Sequence, residues 1–241
     1  MCGRFSLTVL DLGSVASALG LPSVPAELAA LYRPRYNVAP SQPHVVARAS
    51  HGGPTLDWLG WGLRRSTSFA RHDASRGRAG PFALARVETV ATSPAFRDAF
   101  REQRCVVPVD GFYEWGGTGS SRAPSWFHQE GRVFFLAGIA ELGLEGPGHT
   151  RGGFALLTAP AREAVLEVHD RMPVVLEAGD VAGYLAAAPR SRELFDLGGA
   201  RAKRLSRRKV SRHVNSTAHD DPPCIAPVGD EAWSDLPLFK T

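Results

Sequence analysis

Runs of β-branched and aromatic residues constrain this chain more than any other feature. They occupy residues 44–48, 105–109 leading on into Gly111-Phe-Tyr-Glu-Trp115, 132–142 and 154–158. Side chains of this kind pack well on a pleated surface, so the core is expected to be a sheet. Residues 8–20 carry a possible N-cap in Thr8, apolar positions Val9, Leu10, Leu12, Val15 and Leu19, and a stop at Gly20. Ser93-Pro94 starts a second helix that runs to Gln103, with Phe96, Ala99 and Phe100 at helical spacing. A third runs from Pro160 or Ala161 to about Val168 and leaves His169 at or just past its end; shorter ones are expected over 180–188 and 191–196. The fold class is therefore α+β. Residues 64–80 are rich in Arg, Ser and Gly without apolar periodicity, and read as a long loop or a disordered segment.

With 241 residues, 44% of them hydrophobic, the chain can bury a substantial core, and no linker divides it, so one domain spanning 1–241 is expected. No run approaches the roughly 18 apolar residues of a spanning helix, and the opening residues lack the order of a signal peptide. The expectation is a cytoplasmic monomer with no membrane partner. Cys2, Cys105 and Cys224 are odd in number and lack C-x-x-C spacing, which argues for reduced thiols and against a structural zinc site. No metal and no cofactor are expected. The net charge of +4 is small, but it is clustered. Arg64, Arg65, Arg71, Arg76, Arg78 and Arg86 face only Asp73 in their stretch, and residues 201–212 hold seven basic residues and no acid. Each cluster reads either as a solvated loop or as a surface for a polyanion.

Three residues carry candidate chemistry. Removal of Met1 would leave Cys2 with both an α-amine, titrating near ~7.7–8.0, and a thiol near ~8.5. An aldehyde condenses with such an amine to an imine, and the adjacent sulfur closes on the imine carbon to a thiazolidine. The ordinary reading of a cysteine near a chain start is that it does nothing, since reactivity needs a tuned environment. Glu114 lies among aromatics that would raise its pKa toward neutrality and suit it to proton transfer, unless it sits on the wet side of an edge strand. His169, in His-Asp-Arg-Met-Pro, combines an imidazole with an acid and an arginine, or else simply caps a helix end.

These pieces occur together with Met-Cys-Gly-Arg-Phe at the start, Arg35-Tyr-Asn-Val-Ala-Pro40, Trp61-Gly-Leu63, Ala85-Arg-Val-Glu-Thr89, Arg104-Cys-Val-Val-Pro-Val-Asp-Gly-Phe-Tyr-Glu-Trp115, His169-Asp-Arg-Met-Pro173 and Val214-Asn215. In that order, over residues 2–228, the chain resembles the SOS response-associated peptidase (SRAP) family of abasic-site processing proteins; residues 229–241 form a tail. The resemblance implies a mainly antiparallel β core of barrel-like form with peripheral helices, and a groove that holds single-stranded DNA containing an abasic site. It implies that Cys2 is the nucleophile, that Glu114 shuttles protons, and that His169 assists opening of the sugar ring. It further implies that Arg4, Arg86 and Arg171 bind phosphates, that Asn37 and Pro40 shape the groove, and that self-cleavage can expose Cys2. The product would be a covalent DNA–protein crosslink, formed on the nucleoid of a bacterium.

Two departures qualify what the resemblance implies. Leu84 stands where the family has an active-site asparagine, and the only asparagines here, Asn37 and Asn215, cannot be shifted to replace it. An aromatic wedge expected after Trp61-Gly-Leu63 is replaced by Arg-Arg-Ser-Thr-Ser-Phe69. An impaired, non-covalent binder of single-stranded DNA is thus the alternative reading, and a thiol peptidase acting on other proteins is a third.

Overall fold

A computed structural model describes residues 3–50, 52–63, 82–146, 148–186 and 191–228. Cys2, the polar segment 64–80 with Phe69, and the tail 229–241 lie outside the described residues. In chain order the elements are β1 (Arg4–Leu7), α1 (Gly13–Ala18), α2 (Ala26–Leu31), β2 (Arg35–Val38), β3 (Pro43–Ser50), β4 (Gly53–Trp61), β5 (Leu84–Arg86), α3 (Arg97–Glu102), β6 (Arg104–Val109) and β7 (Gly111–Gly116). There follow β8 (Ala123–His128), β9 (Phe134–Gly146), β10 (Thr150–Pro160), α4 (Glu163–Leu166), β11 (Arg171–Pro173), β12 (Val175–Leu176), α5 (Ala178–Ala186), α6 (Ser191–Ala202) and β13 (Ser206–Lys209).

Strands β4, β3, β6, β9 and β10 close on one another as a five-stranded barrel, antiparallel throughout except at the parallel seam between β10 and β4. Closure leaves those strands without open edges. Their side chains alternate between two cores. Val45, Val106, Ala137, Ile139 and Leu157 pack with Leu12 and Val15 of the first helical region and Val181 and Tyr184 of α5. Val46, Val107, Leu136, Phe154 and Leu156 pack with Phe5, Phe112 and Phe127 of a second sheet. That second sheet, β13-β8-β7-β1-β2, is antiparallel and holds the first and last strands of the chain. The expected α+β architecture with a barrel-like core and marginal helices is the one observed. Among the described residues no helix is long and apolar enough to cross a membrane.

Three local expectations are corrected. The helix proposed for residues 8–20 shrinks to Gly13–Ala18, because Thr8 caps nothing and instead donates from its backbone nitrogen and hydroxyl to Asp110. Its proposed stop does hold: Gly20, at φ +67°, lets Leu21 donate to Ala16 and Gly20 to Ser17, the paired bonds of a left-handed helix end. The apparently continuous run 105–115 breaks at Asp110 into strands of different sheets. Asp110 binds Ser6 Oγ at 2.6 Å, and a Cβ on Gly111 would lie 2.1 Å from Trp126 Nε1, so the crossing needs both residues. The third helix is reduced to one turn, Glu163–Leu166, because β10 extends through Pro160.

Candidate functional site

Strand β1 brings the start of the described chain between β7 and β2. Arg4 pairs with Tyr113 and Phe5 with Phe112, so the same register sets Gly3 opposite Glu114. Glu114 shares a face of β7 with the core residue Phe112 and is 1% exposed, which rules out the wet-edge reading. Burial pushes its carboxyl up to about 7, so it exchanges a proton near neutrality.

His169 is carried by the chain that leaves α4, its backbone nitrogen donating to Val165. Two residues beyond Glu114 on the same face, a Cβ on Gly116 would lie 3.1 Å from Val168 Cγ1, which places the segment ahead of His169 against this end of β7. The Arg122 guanidinium acts on both groups. Burial, foremost, holds the imidazole below its usual pKa. Nδ1 lies 2.9 Å from the Arg171 backbone nitrogen and also 2.9 Å from Asp170 Oδ1. A backbone N–H is a fixed donor, so Nδ1 accepts from it and the proton of the neutral ring resides on Nε2. Asp170, 85% exposed, is open to solvent.

The other flank is a hydrogen-bonded clamp. Arg4 Nη1 donates to Asn37 Oδ1 and the Val214 carbonyl, both at 2.8 Å, and Nη2 to the Asn215 carbonyl at 3.2 Å. Its guanidinium lies 5.8 Å from the Trp115 ring centre, while Trp115 Nε1 donates to Asn215 Oδ1 at 2.8 Å. Asn37 Nδ2 serves the carbonyls of Val214, Ser216 and His219, and Asp220 accepts from the backbone nitrogens of Tyr36 and Asn37. Asn37 is wholly buried, which corrects its expected place on the groove wall. It acts by holding Arg4. Pro40 is exposed on the turn between β2 and β3, where a surface ligand can reach it.

Arg86 is exposed at the end of β5, opposite Thr158 of β10. Arg171 was expected to be available to phosphate; its Nη donors instead go to Glu88, through both carboxylate oxygens, and to Thr158, while its Nε is buried. Phosphate binding by Arg171 thus requires exchange of Glu88. Leu84 pairs with Leu156 and packs against the core that contains Phe112, offering no polar atom.

Several members of this region had no role assigned from sequence. Arg122 sits in a loop without any pattern. Arg207, from the basic run 201–212, donates to Ser125 Oγ at 3.1 Å and lies 3.3 Å from Glu167, while Ser125 is the cross-strand partner of Glu114. Other charges of that run are neutralised from afar: Arg201 by Asp180 and Arg204 by Glu177. Trp115 and Asn215 stood in recognisable motifs but were given no contact.

The remaining thiols differ. Cys105 is fully buried, with its pKa pushed far up by burial, and is inert. Cys224 lies with His213 and Asp221, whose ligand atoms and its own sulfur all fall within 4.8 Å of one another.

Comparison with known proteins follows the same outline. The family model for SOS response associated peptidase (SRAP) matches residues 1–217. Abasic site processing protein YedK of Escherichia coli (strain K12) is 28% identical over 236 residues, covering 95% of this chain and all of the relative. Abasic site processing protein YoaM of Bacillus subtilis (strain 168) is 33% identical over 148 residues, 60% of this chain and 63% of that protein. A crystal structure of a protein from Bacteroides thetaiotaomicron superposes with a TM-score of 0.74 at 18% identity, over 94% of this chain and all of that one, and so shares the fold.

Proposed function

The chain belongs to the SOS response associated peptidase family, and from that premise we propose that it captures abasic sites in single-stranded DNA as a covalent thiazolidine on Cys2. The observation that carries this reading is Glu114: a carboxyl buried to 1% exposure, titrating at about 7, opposite the entry of β1. Cys2 directly precedes that entry in sequence.

In the proposed sequence Met1 is first removed, by an aminopeptidase or by self-cleavage, to uncover the amine. His169, with its proton on Nε2, donates to the sugar ring oxygen as the deoxyribose opens to its aldehyde. The Cys2 amine adds to the aldehyde carbon; Glu114 protonates the departing hydroxyl, which leaves as water, and an imine remains. The thiol then adds to the imine carbon, its proton passing through Glu114 to the ring nitrogen. One C–N and one C–S bond replace the carbonyl C–O bonds, with net release of one water. Arg4 and Arg86, and Arg171 once released from Glu88, hold backbone phosphates beside the lesion.

Mixing the protein with an abasic oligonucleotide should give a band shift that survives heat and denaturant. In Cys2→Ala the shift should vanish while non-covalent binding at low salt persists. A covalent product undiminished in Cys2→Ala would overturn the mechanism.

Leu84 favours a second reading, a non-covalent binder of the same DNA. A hydrogen bond to the reacting centre is worth ~10²–10³ in rate when it acts on the transition state. Leu84→Asn should therefore accelerate crosslinking by about that factor if the position matters. No crosslinking by either form, with tight salt-sensitive binding by both, would leave the binder as the reading.

A further inference from the structure

We propose that His213, Asp221 and Cys224 form a binding site for a thiophilic divalent cation of the zinc type, built on the segment that holds Arg4 and Asn215. His213 comes from one 3-10 turn, Arg212–Asn215, and Cys224 closes another, Pro222–Cys224, with Asp221 just ahead of it. His213 Nε2 lies 2.8 Å from Asp221 Oδ1, and that oxygen 3.5 Å from Cys224 Sγ. A tetrahedral zinc with Zn–N and Zn–O of about 2.0 Å and Zn–S of about 2.3 Å spaces its ligand atoms roughly 3.3–3.6 Å apart. The Asp–Cys edge already fits, the His–Asp edge opens by roughly 0.5 Å, and the His–Cys edge, within 4.8 Å, closes by up to roughly 1.3 Å through rotation of the half-exposed His213 and Asp221 side chains.

The surroundings suit an ion as well as the spacing does. Cys224 is fully buried and gives the site a dry back, whereas the His213 and Asp221 side chains are 29% and 48% exposed and leave a way in from solvent. The His219 ring stacks on His213 at 3.7 Å and fixes its plane. One nitrogen, one oxygen and one sulfur favour a borderline-soft cation over magnesium or calcium, with a fourth position left for water. On binding, the thiol and the hydrogen shared between His213 and Asp221 pass their protons to solvent. The cation then ties together the two ends of the segment whose carbonyls receive Arg4 and Asn37. Without C-x-x-C spacing, nothing in the sequence marked the site.

The test is a titration of the full chain, stripped with chelator, with Co²⁺, in a Cys2→Ala background because a bare N-terminal cysteine chelates metals by itself. The expected result is a thiolate-to-cobalt charge-transfer band, displaced by Zn²⁺, together with a higher melting temperature. The band should be lost in Cys224→Ser and in His213→Gln, each checked for native circular dichroism. Absence of the band in the Cys2→Ala protein overturns the proposal before any second variant is made, and so does a band that persists in Cys224→Ser. Crosslinking is measured separately on protein with Cys2 intact, so failure of the metal site and failure of the DNA chemistry are distinguishable.

Discussion

Strand β1 runs between two neighbours that treat buried polar groups in opposite ways. On β7, Glu114 is at 1% exposure and burial lifts its pKa to about 7, so the fold tolerates its charge poorly. On β2, Asn37 is at 0% exposure, yet its amide accepts from Arg4 and donates to three carbonyls of residues 214–219. One side keeps a proton mobile, as acid–base chemistry at neutral pH needs. The other spends its polar atoms on immobility, which suits residues that must present a cation or a ring at a fixed place. Burial alone therefore does not identify a reactive group; what matters is whether the buried group can gain and lose a proton, as a carboxyl can and an amide cannot.

The largest effect that tests this contrast is expected from Glu114→Gln. Crosslinking should slow by ~10²–10⁴, the usual contribution of a general acid–base group, with DNA affinity little changed. Stability should move the other way. A carboxyl raised from 4.5 to about 7 on folding favours the folded state below pH 4.5 and loses that contribution as pH rises through 7. Glu114→Gln should thus be more stable than the parent at pH 8, by at most about 3 kcal/mol, and no more stable at pH 4. Thermal melts at the two pH values decide it, and a destabilised variant at pH 8 would mean that the carboxylate's partners outweigh its burial.

Asn37→Ala should show the opposite pattern. It removes the amide donor from the carbonyls of Ser216 and His219, while Val214 keeps its bond from Arg4, at a cost on the order of 3 kcal/mol, because unsatisfied buried groups cost ~1–3 kcal/mol each with partial relaxation. Denaturant melts should register that loss, and DNA affinity should fall with it because Arg4 loses one of its anchors while keeping the Val214 and Asn215 carbonyls. If the rate of the chemical step at saturating DNA falls while stability is kept, the division between the two sides is wrong.

The same contrast explains what could be read from the sequence. Glu114 and His169 were legible because aromatic flanks and a helix end are local features, and the structure confirms the burial of one and the post-helical position of the other. Asn37 was misplaced, since its partners lie some 180 residues downstream and no local pattern announces them. Thr8 looked like a helix cap and was taken by Asp110, some 100 residues away in sequence. The run 201–212 contains no acid, yet Asp180, Glu177 and Glu167 reach it from other elements. β-branched and aromatic runs revealed four of the five barrel strands and missed β4, and pairing between distant segments decided which ends became helix and which charges remained available.

The smallest expected effect concerns Arg171, where the two strategies meet. Its ion pair with Glu88 is partly open to water, with the carboxylate 44% exposed, so breaking it should change stability by less than about 1 kcal/mol. Glu88→Gln nevertheless separates two ways of binding DNA. If Arg171 leaves Glu88 to take a phosphate, the substitution removes a competing partner, and affinity should rise a few-fold with the salt dependence unchanged. If Arg171 stays with Glu88 in the complex, the substitution adds a phosphate contact, and the slope of log affinity against log salt should steepen by about 0.7, the value for one contact to a single strand. An unchanged affinity and slope would place Arg171 among the residues that merely hold β11 and β10 together, beside Asn37 rather than beside the DNA.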